Sequence, residues 1–220
     1  MSARAEILAD IRLALGVTGT EAPRRRIVAD RLEHAPQSVI PARGQLDGAD
    51  RTALFRAEAQ RTLASVAEVG VAADAPAQVA AYLRSRDLPA RFNMGADPLL
   101  AALPWRDFEI RQESADATVG LSHAFGAVAE SGTLVLVSGT ANPTRLNFLS
   151  ETHIVVVAAA DIVGTYEEIW QKLRAVYGKG GMPRSVNFIT GPSRSADIGQ
   201  TMQLGAHGPR DLHIVVVGKR

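Results

Sequence analysis

An α/β fold with an open, largely parallel sheet flanked by helices is predicted by three features of the sequence. Four short runs, TLVLVS at 133–138, HIVVVA at 153–158, SVNFIT at 185–190 and LHIVVV at 212–217, are rich in branched residues and apolar at successive positions. Strands apolar on both faces belong to sheets covered on both sides. Helical patterns fall between these runs, at 165–177 and 196–204, which is the alternation of an α/β chain. Third, the 220 residues are 46% hydrophobic and 21% charged, enough to bury a sizeable core without disulfides or metal.

The elements follow in order. Residues 3–15 place Ile7, Leu8, Ile11 and Leu15 at helical spacing, with Gly16 as a stop. Residues 17–50 contain Pro23, Pro36, Pro41 and the triplet Arg24–Arg26 without sustained periodicity, and read as an extended arm. The division is therefore an N-terminal amphipathic helix and arm over 1–50 and an α/β domain over 51–220. Within that domain 51–64 is helical and 65–69 a short strand. Residues 75–85 form a helix with Pro76 just inside its start, where a missing N–H is harmless. A strand at 90–94, a short helix at 97–102 and an edge strand at 108–111 complete the first half.

Composition excludes several chemistries. The chain has no cysteine, so it cannot supply thiolates to an iron–sulfur cluster or zinc, or a cysteine nucleophile. That suits a reducing cytoplasm, the expected location. The longest apolar run, 154–160, is too short to cross a bilayer, and residues 1–15 lack a signal-type apolar core. Net charge is +1, against a general nucleic-acid footprint, yet residues 179–220 carry six basic and two acidic side chains. A local anion site fits that imbalance. So does a solvated cluster of arginines. The five histidines show no HxH or HExxH spacing, and no metal site is expected. No GxSxG elbow is present either.

Three constellations carry potential chemistry. In Thr190-Gly191-Pro192-Ser193-Arg194-Ser195-Ala196-Asp197 a buried strand meets a Gly-Pro turn and a predicted helix start near Ser195. Unpaired N–H groups and the helix dipole there favour an anion, with Ser193 and Ser195 as hydroxyl donors and Arg194 as a planar fork. The alternative makes Ser195 an N-cap and Asp197 a complement to the dipole. In Gly205-Ala206-His207-Gly208-Pro209-Arg210, Gly205 suits a helix C-cap. There His207 is placed to act as acid, base or donor, with Gly208 and Arg210 beside the ligand; otherwise its ring bonds its own loop. Third, Glu130 stands alone in the small, apolar run before strand 133–138, followed by Gly132 and Thr133. A carboxylate there lies at a ligand cleft by strand ends, or accepts backbone N–H groups to fix the turn.

The segments AESGTLVL at 129–136, HIVVV at 153–157, GPSRSADI at 191–198 and GAHGPR at 205–210 together resemble the lactate-utilisation LUD-domain family, over about residues 60–217. The resemblance implies a fold like the NagB/RpiA/CoA-transferase group. It implies a part in oxidising L-lactate to pyruvate within a three-protein system, with iron–sulfur clusters in partner subunits and no cofactor in this chain. The expected ligand is a small anion at residues 191–197 and 207–210. Two alternatives are a CoA-transferase or ligase with Glu130 as nucleophile, since Ala129-Glu130-Ser131-Gly132 is similar to the Ser-Glu-Asn-Gly turn of some CoA-transferases, and a non-catalytic scaffold for the iron–sulfur subunits.

Overall fold

In the computed structural model, which describes residues 2–34, 39–112, 118–178, 180–195 and 202–219, two compact units divide the chain at Val39 and Ile40. The first holds α1 (Ala3–Ala14) and α2 (Ala22–Glu33). Helix α2 corrects the expectation of an extended arm. Pro23 occupies its first turn, where proline initiates rather than breaks a helix. With Ile27, Val28 and Leu32 its only branched apolar residues, the helical period was too sparse to read. Neither helix buries a residue.

The second unit is built on a six-stranded, wholly parallel sheet and a four-stranded mixed one. In chain order the first-half elements are α3 (Gly48–Arg61), β1 (Ser65–Val71), α4 (Ala75–Ser85), β2 (Arg91–Met94), α5 (Pro98–Ala101), β3 (Glu109–Arg111) and β4 (Val119–His123). Then come β5 (Gly126–Val128), β6 (Thr133–Val137), α6 (Leu146–Leu149), β7 (Thr152–Ala158), β8 (Ile162–Val163) and α7 (Tyr166–Tyr177). The last are β9 (Val186–Ile189), β10 (Arg194–Ser195), β11 (Gln203–Leu204) and β12 (Asp211–Lys219). The large sheet runs β1-β12-β7-β4-β2-β3 and the smaller one β8-β5-β6-β9.

Strand β7 shows why its sequence is apolar throughout. Val155 and Val157 join a core with Phe55 and Ala59 of α3, Leu134 and Leu136 of β6, and Ile214 of β12. Ile154 and Val156 face the other way, into a core with Val79 and Leu83 of α4, Phe92, Leu100 and Trp105. Both faces of the strand are therefore covered. On the smaller sheet, Val128 and Val135 pack with Ile169 and Leu173 of α7.

The fold class read from sequence is the one observed, with a redistribution of strands. Runs 133–138 and 185–190 form an antiparallel pair in the smaller sheet, Leu134 opposite Ile189 and Val135 opposite Phe188. A strand sandwiched between a sheet and a helix is apolar on both faces whatever its direction, so composition could not separate the two cases. The helix expected over 196–204 is corrected at its carboxyl end alone. Arg194–Ser195 and Gln203–Leu204 pair as antiparallel strands, and residues 196–201 lie outside the described ones.

Candidate functional site

The chain leaves the smaller sheet at Ile189 and enters the larger one at Asp211, and the connection between them builds the candidate site. Gly191 turns out of β9 at φ +74°, and a Cβ there would strike the carbonyl oxygen of Thr62. Only glycine fits both demands. Two turns then lie side by side. Ser193 N–H donates to Pro209 O at 2.8 Å, and Gly205 N–H donates to Ser193 O at 2.9 Å. His207 N–H donates to Ser193 Oγ at 3.3 Å. Gly208 approaches closely enough that a Cβ on it would lie 3.4 Å from Ser193 Cβ.

Between these turns lies a cavity of about 270 Å³. Gly191, Pro192, Ser193 and Arg194 form one wall; His207, Gly208 and Pro209 form another. Phe188, Ile189 and Thr190 enter from the smaller sheet, His153 and Leu212 from the larger, and Asn147 and Phe148 from α6. Arg194 and His207 are exposed at the rim, whereas Asn147 and His153 are buried. Burial holds the His153 imidazole down at about 3, so this ring is neutral near pH 7. The rim is cationic and the depth polar but uncharged.

The cavity meets the larger sheet at the amino ends of β7 and β12, and the smaller sheet at the carboxyl end of β9. Open α/β sheets more commonly take ligands at carboxyl ends. At that opposite end His123 Nδ1 lies 3.3 Å from Asp97 Oδ2. Burial alone would raise the Asp97 carboxyl, but His123 and the Leu100 N–H together hold it below its ordinary value.

The sequence-predicted residues fall into four groups. Gly191, Ser193, Arg194, His207 and Gly208 converge on the cavity. Arg210 lines a neighbouring groove that shares Phe148, His207 and Gly208 with it. Ser195 is a buried residue of β10, and the helix start expected after it lies, with Asp197, outside the described residues. Glu130, Gly132 and Thr133 form a separate turn. There Glu130 Oε1 accepts the N–H of Tyr166, the first residue of α7, at 3.4 Å. This is the turn-fixing role, and it places a carboxylate at a helix N-terminus. Gly132, at φ +66°, packs on the backbone of Glu58 and Ala59.

One chain of hydroxyls runs from that turn to the cavity. Thr133 Oγ1 lies 2.9 Å from Tyr166 Oη and 2.7 Å from Thr190 Oγ1, and Ser131 Oγ lies 2.9 Å from the same tyrosine. Thr190, at the far end, lines the cavity. The sequence reading includes Thr190 in the 190–197 turn without a role and leaves Asn147 and His153 out of the site. His153 lies within the apolar run 153–158, and Asn147 sits in a four-residue helix with no period. Among the described residues no group of three or more His, Asp or Glu is placed to hold a metal ion, and no helix is long and apolar enough to cross a membrane.

Comparison with known proteins gives a consistent picture. The family model described as LUD domain matches residues 54–217. Lactate utilization protein C of Geobacillus sp. (strain WCH70) is 38% identical over 105 residues, 47% of this chain and 44% of the relative. Lactate utilization protein C of Shouchella clausii (strain KSM-K16) is 33% identical over 113 residues, 51% of this chain and 49% of the relative. The chain thus spans about half the length of the curated relatives it matches. The crystal structure of a DUF162 family protein from Deinococcus radiodurans superposes with TM-score 0.60 and 22% identity, over 79% of this chain and 99% of that one. At that identity the likeness concerns the fold alone.

Proposed function

The chain belongs to the LUD-domain family, and on that premise we propose that it serves in lactate utilisation, binding a small anionic ligand in the cavity between residues 191–194 and 207–209. The observation that carries the reading is the mutual tying of the two turns. Ser193 bonds to Pro209, Gly205 and His207, so the cavity walls are held as one piece around a cationic rim. Arg194 offers a planar fork to a carboxylate or phosphate, and His207 a ring donor beside it. The names of the relatives support lactate as the pathway substrate.

Without cysteine the chain holds no thiolate-ligated cluster, so electron transfer in this proposal belongs to iron–sulfur partner subunits. Here the chain binds and positions the ligand. Glu130 is assigned a positioning role through Tyr166 rather than an acyl-transfer one. The test is lactate-dependent dye reduction by the assembled system, with and without this chain, and with Arg194→Ala and His207→Ala versions that remain folded. Loss of reduction in both variants is the expected result. Full activity in both removes the site assignment, and full activity without the chain removes the role.

A further inference from the structure

The two helices of the first unit carry apolar rows that nothing in the chain covers. On α1, Ile7, Leu8 and Ile11 recur at helical spacing, and Ile7 is 59% exposed and Ile11 48%. On α2, Val28 and Leu32 lie one turn apart, 56% and 69% exposed. Both helices are 12 residues long. Helices of that length are marginal in water alone and are ordinarily stabilised by burying such a row. Here neither does so. The α2 row borders a groove of about 530 Å³ whose lining includes Val17, Arg24, Arg25, Val28 and Leu32, and no residue of α1 lines it.

The edges of the two rows are oppositely charged. On α1, Glu6 and Asp10 lie one turn apart, each next to an isoleucine of the row. On α2, Arg24, Arg25 and Arg31 stand three or four positions from Val28 and so surround it on the helix surface, whereas Asp30 and Glu33 fall on the far side. Arg24 and Arg25 also occupy the first turn of α2, where the helix dipole disfavours cations. Among the described residues no ion pair joins Arg24, Arg25 or Arg31 to a carboxylate, or Glu6 or Asp10 to a cation. Glu21, which also lines the groove, is taken up by the N–H groups of Thr18 and Gly19. Of the α1 cations, Arg12 lies against the connection at Gly19 and Arg4 stands at the amino end.

An apolar row with an acidic edge and one with a basic edge are complements, and one chain carries both. Its own α1 stays out of the α2 groove. Between two copies related by a twofold axis, α1 of each lies on α2 of the other, and both charge patterns are satisfied at once. A partner of another kind would have to present acids to α2 and bases to α1 to achieve the same. We propose that the first unit is a self-association surface, on which a second copy of the chain covers α2 with its α1 and the four helices form one bundle. Glu6 and Asp10 of each copy then face Arg24 and Arg25 of the other.

The test is sedimentation equilibrium of the full chain over about a hundredfold range of concentration. The wild type is expected to pass from monomer to dimer. Two double variants, Glu6→Arg with Asp10→Arg and Arg24→Glu with Arg25→Glu, should each weaken the dimer at least about tenfold, because like charges then meet. Mixed in equal amounts, the two variants should associate again, since each supplies the charge that the other lacks. A merely structural role for these four residues produces no such recovery. A wild type that stays monomeric overturns the proposal, and one that also sediments with vesicles of anionic phospholipid assigns the same faces to a membrane surface. Dimers unaffected by either double variant place the association elsewhere and overturn it too, as does a mixture that fails to associate. All four substituted residues are exposed. If a variant nevertheless does not fold, the wild-type dimer is measured at rising salt: it should weaken at least about tenfold between roughly 0.05 and 0.5 M, and a dimer indifferent to salt overturns the charge pairing.

Discussion

Ser193 and His207 are joined by one hydrogen bond, the backbone N–H of His207 donating to the Ser193 hydroxyl at 3.3 Å. Fourteen residues apart in sequence, they hold opposite walls of the cavity. Replacing Ser193 with alanine deletes this link but keeps the main-chain bonds to Pro209 and Gly205. The expected cost in urea denaturation is about 0.5–1.5 kcal/mol, the worth of one intramolecular hydrogen bond. Ligand affinity should fall with it, because the walls are no longer fixed to each other.

Gly132 and Gly191 both adopt positive φ; the first presses on Glu58–Ala59 in the last turn of α3 and the second on Thr62, the residue that caps it. Alanine at either site meets a strained backbone and a main-chain clash. We expect each substitution to cost about 2 kcal/mol or more. Gly139→Ala is the control, since a Cβ there has no neighbour within 4 Å and should change the unfolding midpoint little.

The buried histidines set the acid limit of stability. Burial holds His153 at about 3 and, together with the Arg86 charge, His213 at about 4, against an ordinary 6.5. The unfolded chain therefore binds more protons than the folded one below about pH 6.5. Stability is fully present above that value and is lost as pH falls toward these lower values, by up to about 1.4 kcal/mol per pH unit for each ring. Urea midpoints should decline from pH 7 to pH 5, and His153→Gln should shallow the decline by about one proton's worth. A flat midpoint over that range contradicts the assignment of two neutral, buried rings.

Asn147→Leu should make the ligand-free protein more stable, by about 1 kcal/mol, because it replaces an unpaired buried amide with an apolar side chain of similar size. A rise in thermal midpoint is the signature of a buried amide whose desolvation is not repaid by a protein partner. A fall in midpoint identifies the amide as structural.

How much of this was legible in the sequence depended on whether local pattern or tertiary arrangement decided the outcome. Strands β7 and β12 were readable because burial on both faces leaves an unbroken apolar run. Strand β4 beside β7, and β5 in the smaller sheet, were not, since Val119–His123 carries glycine, serine and histidine and Gly126–Val128 is only three residues long. Residues 191–197 and 207–210 were expected to share one site because two glycine turns carry matching chemistry, and Gly191, Ser193, Arg194, His207 and Gly208 do line one cavity. The strand at Gln203–Leu204, where the end of a helix was expected, was not legible, because a two-residue pairing with Arg194–Ser195 leaves no period to read. His153 and Asn147 were not legible as cavity residues: β7 and α6 meet the turn at 190–194 only through the tertiary fold, and no local pattern records that.

The cavity draws its walls from both sheets, Phe188 and Ile189 from one and His153 and Leu212 from the other. Its width is therefore a gauge of the distance between the two sheets. A subunit that docked on either sheet and slid it by an ångström would alter the fit of whatever lies inside, and an occupant gripping both sides would resist the slide. The proposed ligand and the proposed subunit contact would in this way be mechanically joined, with no moving loop required.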